Sequence, residues 1–171
     1  LAALAIMSIY INVSQLSKNI FLKFKVPQGR GDLSKIRIFK KNINLVDESY
    51  NSNPLSLKSA ILNYDKIISK KFKKYLLLGD MLELGKHSKK LHQSIATIIN
   101  KTNIDKVFIK GRNMKFMFEK LSDSKKGRVL FNKSQIIDLI RNDLNNNDNL
   151  MVKASNATGF NKIIKEIKGV N

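Results

Sequence analysis

The stretch "YLLLGDMLELG", Tyr75 to Gly85, decides how this chain folds. It opens on a continuous apolar run, too short for a helix and closed by Gly79-Asp80. Such a run reads as a strand covered on both faces. His87 to Asn100 follows, with Leu91, Ile95, Ile98 and Ile99 at helical spacing. A buried strand feeding an amphipathic helix is the repeating unit of a parallel sheet, because the crossover helix must cover a sheet face.

The same alternation continues in both directions. Downstream, "KVFIKG", "RVLFN" and "LMVKAS" read as strands. Between and after them, Asn113 to Leu121, Ser134 to Leu144 and Thr158 to Lys168 read as helices. Upstream, Pro54 to about Ile68 is helical, with Leu57, Ala60, Ile61 and Tyr64 on one face. "NINLVDES" reads as a strand, and "KIRIFKK" alternates strictly from Lys35 as a half-exposed strand that pairs with it in a hairpin. The expected fold class is α/β: a doubly wound, mostly parallel sheet of about five parallel strands with right-handed crossovers.

The chain starts "LAALAIMSIYINV", without Met. The run lacks a basic leader, a small-residue cleavage site and the length of a membrane span. It reads as a helix from Leu1 to about Lys18 that begins mid-protein, with Leu4, Met7, Ser8 and Ile11 on one face. "FLKFKVPQGRGDLS", with Pro27, Gly29 and Gly31, is the expected domain boundary.

At 171 residues with 43% hydrophobic composition the chain can bury a core. It has no Cys, which removes disulfides and thiolate metal sites, and its two His, His87 and His92, are too few for a His cluster. His92 is expected at the surface or its boundary. The net charge of +19 raises nucleic acid as a partner. The Lys residues are scattered from Lys18 to Lys168 on amphipathic elements alongside abundant Asn, not gathered in one tract with aromatics. A compositional drift explains that pattern better, so a nucleic-acid partner is not expected.

Open α/β sheets bind ligands beyond the carboxyl ends of their strands. The unusual residues fall there: Asp47-Glu48, Gly79-Asp80, Gly111-Arg112, Asn132 and Ala154-Ser155-Asn156. "LVDESYNSNP", Leu45 to Pro54, carries two readings side by side. Asn53 before Pro54 is the chemistry of a helix N-cap, and the preceding polar residues stand where a ligand would sit. "LGDMLELG" reads either as part of that edge or as a Gly turn. Neither GxGxxG nor GxxxxGK[ST] occurs, so no standard phosphate cradle is present. "RGD" at Arg30 and the acceptor patterns at Asn132 and Asn156 are short matches in a Cys-free, Lys-rich chain and carry no functional reading.

Gly29-Arg30, "ESYNSNP" at Glu48 to Pro54, "GDMLELG" at Gly79 to Gly85 with Ser88 and His92, and "KASN" at Lys153 to Asn156 resemble, in order and interval, the C-terminal part of the Mur ligases. Within that family the likeness is to the branch that adds D-Ala-D-Ala to UDP-N-acetylmuramoyl tripeptide. It covers roughly residues 27 to 168. The resemblance implies a Rossmann-like C-terminal domain over 27–171, with 1–26 as the last helix and linker of a central ATP-binding domain. It implies an ATP- and Mg²⁺-dependent carbon–nitrogen ligase of cytoplasmic peptidoglycan synthesis, monomeric, acting through an acyl phosphate. Arg30, Asp47, Glu48, Tyr50, Asn51 and Asn53 would then face the nucleotide, with Asp47 or Glu48 on the ribose. Lys153, Ser155 and Asn156 would lie near the peptide substrate. No catalytic or metal-binding residue is expected in this chain, because the family's phosphate loop, Mg²⁺ carboxylate and modified Lys lie in the central domain.

Two positions depart from the family pattern. Glu48 stands where Asp is usual, and Asn156 ends a segment that usually reads K-G-S-R. The second departure removes a bidentate anion contact. A non-catalytic nucleotide- or partner-binding module derived from the ligase is the alternative function, with a basic nucleic-acid-binding domain as the weaker one.

Overall fold

The computed structural model describes residues 2–17, 19, 27–68 and 71–169. The sheet has six strands: β1 (Asp32–Ile38), β2 (Lys41–Glu48), β3 (Lys74–Gly79), β4 (Lys106–Lys110), β5 (Lys126–Val129) and β6 (Asn149–Lys153). Their order is β1-β2-β6-β3-β4-β5. β1 and β2 form the antiparallel hairpin, and every other neighbouring pair is parallel. The expected five parallel strands are therefore present, with β1 as an antiparallel edge.

The helices are α1 (Ala2–Met7), α2 (Pro54–Ile67), α3 (Ser88–Asn100), α4 (Met114–Phe118), α5 (Lys133–Asp138) and α6 (Phe160–Gly169). A π-helical turn, Leu139–Asp143, continues α5. The β3 residues show why its run is continuous. Leu76 and Leu78 pack with Leu57, Ile61, Ile95 and Ile99 of α2 and α3, and with Met114 and Met117 of α4. Tyr75 and Leu77 pack on the opposite side with Ile136 and Leu139, and with Phe160, Ile164 and Ile167 of α6. Every β3 residue is buried. The chain runs outward through β3, β4 and β5 under one helical layer. It then returns under the other layer to insert β6 between β2 and β3. That reversal opens a crevice at the carboxyl ends of β2, β6 and β3.

The first apolar run corrects an expectation. It does not form one helix to Lys18: the α-helix stops at Met7, and a single 3-10 turn, Val13–Gln15, follows. Local side chains compete with the helical ladder there. Ser8 Oγ donates to the Ala5 carbonyl, and Asn12 Oδ1 accepts from Ser14 N–H. Residues 21–26 of the expected linker lie outside the described residues.

The β1–β2 hairpin turns on Phe39 and Lys40, both left-handed at φ 50° and 61°. That is the geometry of a two-residue type I′ turn, which ordinarily recruits Asn-Gly. Arg141 stacks on the Phe39 ring at 4.4 Å and holds the first position. Among the described residues Lys40 has no contact of that kind to offset the strain. Lys40→Gly should therefore stabilise the fold by about 0.5–1 kcal/mol, the left-handed penalty less the greater chain entropy of glycine. A urea midpoint that falls on this substitution would refute the strain argument.

Candidate functional site

The end of β2 is built from long-range ion pairs. Asp47 is buried, at 1% exposure. Its Oδ1 accepts from Ser49 N–H at 3.1 Å and Ser49 Oγ–H at 2.6 Å, and its Oδ2 accepts from Lys168 Nζ at 2.8 Å. Lys168 also donates to Asp32 Oδ2 at 2.6 Å. Lys153, 2% exposed, donates to Glu48 Oε2 at 3.2 Å and to the Asn51 carbonyl at 2.9 Å. Asp47 and Lys153 thus tie β2 to α6 and β6 to the loop after β2. Neither lines the polar cleft formed by the loops after β2, β3 and β6, but Asp47 lines a hollow on the other side of Tyr50.

Beyond Glu48 the side chains of Tyr50, Asn51 and Asn53 are exposed, while Ser49 and Ser52 stay buried. Gly29, left-handed at φ 77°, leaves no room for a side chain: a Cβ there would lie 3.0 Å from Tyr50 N. Tyr50 N–H donates to the Gly29 carbonyl at 3.0 Å, which lays the Pro27–Arg30 turn along Tyr50. The Arg30 guanidinium stacks 4.0 Å from the centre of the exposed Tyr50 ring. Asn53 then caps α2. Its Oδ1 accepts from Ser56 N–H at 2.8 Å, Ser56 Oγ receives Asn53 N–H at 3.1 Å, and Pro54 opens the helix. The cap reading of this stretch is thus met by Asn53, Ser56 and Pro54.

The end of β3 is fixed just as firmly. Asp80 accepts from Asn113 N–H at 3.2 Å and Met114 N–H at 2.8 Å, holding the start of α4. Ser155 Oγ accepts from Leu82 N–H at 3.0 Å and donates to the Ser52 carbonyl at 3.1 Å, joining the three loops that follow β2, β3 and β6. His92 is not at the surface as expected but fully buried. Its Nε2 accepts from Met81 N–H at 3.1 Å, and its Nδ1 donates to the Ser88 carbonyl at 2.7 Å. It anchors the loop from within and has no access to a ligand.

These three loops enclose a cleft of about 540 Å³. The structure brings together in it Tyr50, Asn51, Asn53, Ser155 and Asn156. It adds Leu82, Glu83 and Leu84, which sequence reasoning quoted but gave no role. Glu83 has φ 63°, a left-handed conformation that costs a non-glycine residue about 1–2 kcal/mol. On the far side of Tyr50 a second hollow of about 430 Å³ is lined by Gln28, Lys162 and Lys165 among others. The two lysines lie three apart on α6, and sequence reading gave them no role. Among the described residues no group of three His, Asp or Glu is arranged to hold a metal, and no helix is long and apolar enough to cross a membrane.

Residues 35–156 match the family model described as "Mur ligase, glutamate ligase domain". The chain is 30% identical over 128 residues to UDP-N-acetylmuramoyl-tripeptide–D-alanyl-D-alanine ligase of Bacillus subtilis, covering 73% of this chain and 28% of that protein. It is likewise 30% identical over 167 residues to the ligase of the same name from Buchnera aphidicola subsp. Baizongia pistaciae, covering 96% of this chain and 35% of that one. The chain therefore spans about a third of the length of these relatives. The crystal structure of MurF ligase from Thermotoga maritima in complex with ADP superposes with a TM-score of 0.72 at 19% identity, over 98% of this chain and 36% of that one. The fold, the order of the motif loops and the sequence match agree: the chain belongs to the Mur ligase family, as a C-terminal domain.

Proposed function

We propose that this chain works as the C-terminal domain of a longer ATP-dependent ligase that joins D-Ala-D-Ala to UDP-N-acetylmuramoyl tripeptide through an acyl phosphate. The observation that carries the reading is the polar cleft of about 540 Å³ at the carboxyl edge of the sheet, walled by the motif loops themselves. The names of the ligases it resembles supply the reaction. Residues 27–171 are assigned to the C-terminal domain and 1–26 to the end of a preceding ATP-binding domain. The latter assignment gives Ile6, Ile9 and Tyr10, 61%, 74% and 80% exposed, a surface to cover them.

In this reading Arg30 and Tyr50 meet the nucleotide at the domain boundary. A planar guanidinium suits phosphate or ribose oxygens. Glu48 keeps one oxygen free of hydrogen bonds among the described residues and can accept from a ribose hydroxyl. Asp47 contributes by holding β2 in place. Asn51, Asn53, Ser155 and Asn156 form the polar wall, and Lys153 sets its position from beneath. The γ-phosphate and Mg²⁺ are assigned to the rest of the longer protein, since this sequence has no phosphate-binding Gly loop. Closure of the domain would align the reactants and keep water from the acyl phosphate. The site is cytoplasmic and the enzyme monomeric in this reading.

The protein expressed from its complete reading frame should release phosphate from ATP only when both the muramoyl tripeptide and D-Ala-D-Ala are supplied. Residues 1–171 alone should release none. Turnover by the 171 residues alone would overturn the assignment of phosphate chemistry elsewhere. A complete protein that folds yet releases no phosphate would leave the non-catalytic module as the better reading.

A further inference from the structure

Gly111-Arg112, where β4 ends, has no part in the ligase reading, yet the fold builds a separate hollow around it. The hollow has a volume of about 300 Å³ and lies between the ends of β4 and β5. Among the described residues it shares no lining residue with the cleft or with the hollow beyond Tyr50. Its charged side chains are Lys110, Arg112 and Lys115, and no carboxylate lines it. Leu130 and Phe131 supply its apolar side.

The three cations are unspent. Lys110 Nζ lies 5.5 Å from the centre of the Phe160 ring, and Lys115 Nζ 5.5 Å from that of Phe131. Beyond these ring contacts none of the three makes a hydrogen bond or ion pair among the described residues, and Arg112 is exposed. At the ends of β2 and β6, by contrast, Lys153 is paired with Glu48 and Lys168 with Asp32 and Asp47. The acid that comes nearest is Asp80, on the other side of the Gly111 backbone, where a Cβ would collide with its carboxylate. Asp80 directs its oxygens at Asn113 N–H and Met114 N–H and does not line the hollow.

The walls are held before any ligand arrives. Asp80 fixes the amide that directly follows Arg112, so the guanidinium leaves from a set backbone. Leu130 N–H donates to the Ile109 carbonyl at 2.7 Å, and Phe131 N–H to Gln135 Oε1 at 2.7 Å. These bonds keep the Phe131 ring beside the cations although it is 65% exposed. A site ordered in advance binds with less entropic cost.

Three like charges around so small a space repel one another, and an occupant that offsets them must bring more than one negative charge. A carboxylate brings one. A phosphate monoester brings about −1.5 to −2 near neutral pH, with several oxygens to accept from ammonium and guanidinium groups. The volume stands at the lower end of small-molecule pockets, too small for a folded partner. We infer that the hollow between the ends of β4 and β5 binds the phosphate group of a small molecule through Lys110, Arg112 and Lys115, with Phe131 against whatever the phosphate carries. Two sources share that chemistry: a phosphate ester with an apolar or planar body, and free inorganic diphosphate. The inference does not depend on the ligase reading.

The test uses the protein expressed from its complete reading frame, titrated by calorimetry with inorganic diphosphate and with phenyl phosphate. Arg112→Gln/Lys115→Gln removes two of the three cations. Both side chains are exposed, so its melting temperature without ligand should match wild type. It should bind both probes at least tenfold more weakly. Lys58→Gln/Lys66→Gln takes the same two charges from the exposed side of α2 and should stay within twofold of wild type. Equal losses in the two double variants would mean that the probes read net charge alone, and would overturn the site. Wild-type binding that ADP or D-Ala-D-Ala displaces would put the probes in the cleft and overturn it as well, as would no wild-type binding at millimolar probe. Phe131→Ala separates the sources. A selective loss for phenyl phosphate identifies an ester whose body lies on the ring, and no loss for either probe identifies free diphosphate.

Discussion

Lys168→Ala is expected to destabilise the fold by about 3 kcal/mol, the range found when one partner of a buried ion pair is removed. Lys168 Nζ lies 2.6 Å from Asp32 Oδ2 and 2.8 Å from Asp47 Oδ2, so a single ammonium bridges both carboxylates and offsets half of their charge. Asp32 and Asp47 face each other across the β1–β2 register. Without the lysine two like charges remain side by side, one of them buried. The two Ser49 hydrogen bonds still support Asp47 Oδ1, which keeps the loss near the lower end of the range. The lysine also stands in the last turn of α6, where a cation favours the helix dipole.

The same contact fixes a pH dependence. Burial pulls the Lys168 ammonium down, but its hydrogen bonds to Asp32 and Asp47 outweigh this and raise it above its ordinary 10.5. A raised value in the folded state means the stabilisation is fully present below pH 10.5 and is lost as pH climbs through the folded value. Urea unfolding of wild type should therefore weaken in that alkaline window, and Lys168→Ala should not show that component. A variant within 1 kcal/mol of wild type at neutral pH would contradict the coupling, as the estimate for a broken buried pair is several times that.

The central strands β3, β4 and β6 are legible because each is covered on both faces and so carries a continuous apolar run, while β2 and β5 are read mainly from their place in the alternation. The polar carboxyl edge of the sheet is legible for a related reason: polar and glycine residues recur wherever such a run stops. What cannot be read from the runs is which polar residues remain free. Asp47 finds its cation 121 residues away, and Glu48 finds Lys153 at a separation of 105. Nothing local to "LVDES" marks either pairing. His92 was readable in principle. It precedes Ile95, Ala96 and Ile99 at helical spacing, on the face that packs inward, and a lone polar residue on that stripe is buried with it. The Phe39-Lys40 turn carries no Asn or Gly to announce it, since the hairpin imposes the geometry against local preference. The left-handed backbone of Glu83 is hidden in the same way, since a glutamate does not announce a positive φ.

Gly79→Ala is the second large effect, a loss of about 3 kcal/mol from overpacking. Gly79 is not among the glycines with positive φ, so its requirement is for space, not for a special torsion. A methyl group there would lie 2.6 Å from Phe160 Cε2 and 2.7 Å from Ala154 Cβ, distances at which atoms must move. Neither neighbour is free to do so. Phe160 and Ala154 are fully buried, the first opening α6 and the second continuing β6. The strain should therefore pass into the segments on either side, Asp80 to Leu84 after β3 and Ser155 to Thr158 before α6, which wall the cleft from opposite sides. Phe160→Leu removes the ring atoms that collide. It should be destabilising in the wild-type background, through lost packing, yet recover part of the loss when combined with Gly79→Ala. The two changes share one contact, so their energies should fail to add by at least 1 kcal/mol. Strict additivity in a double-mutant cycle would show that the ring is not what excludes a side chain at Gly79.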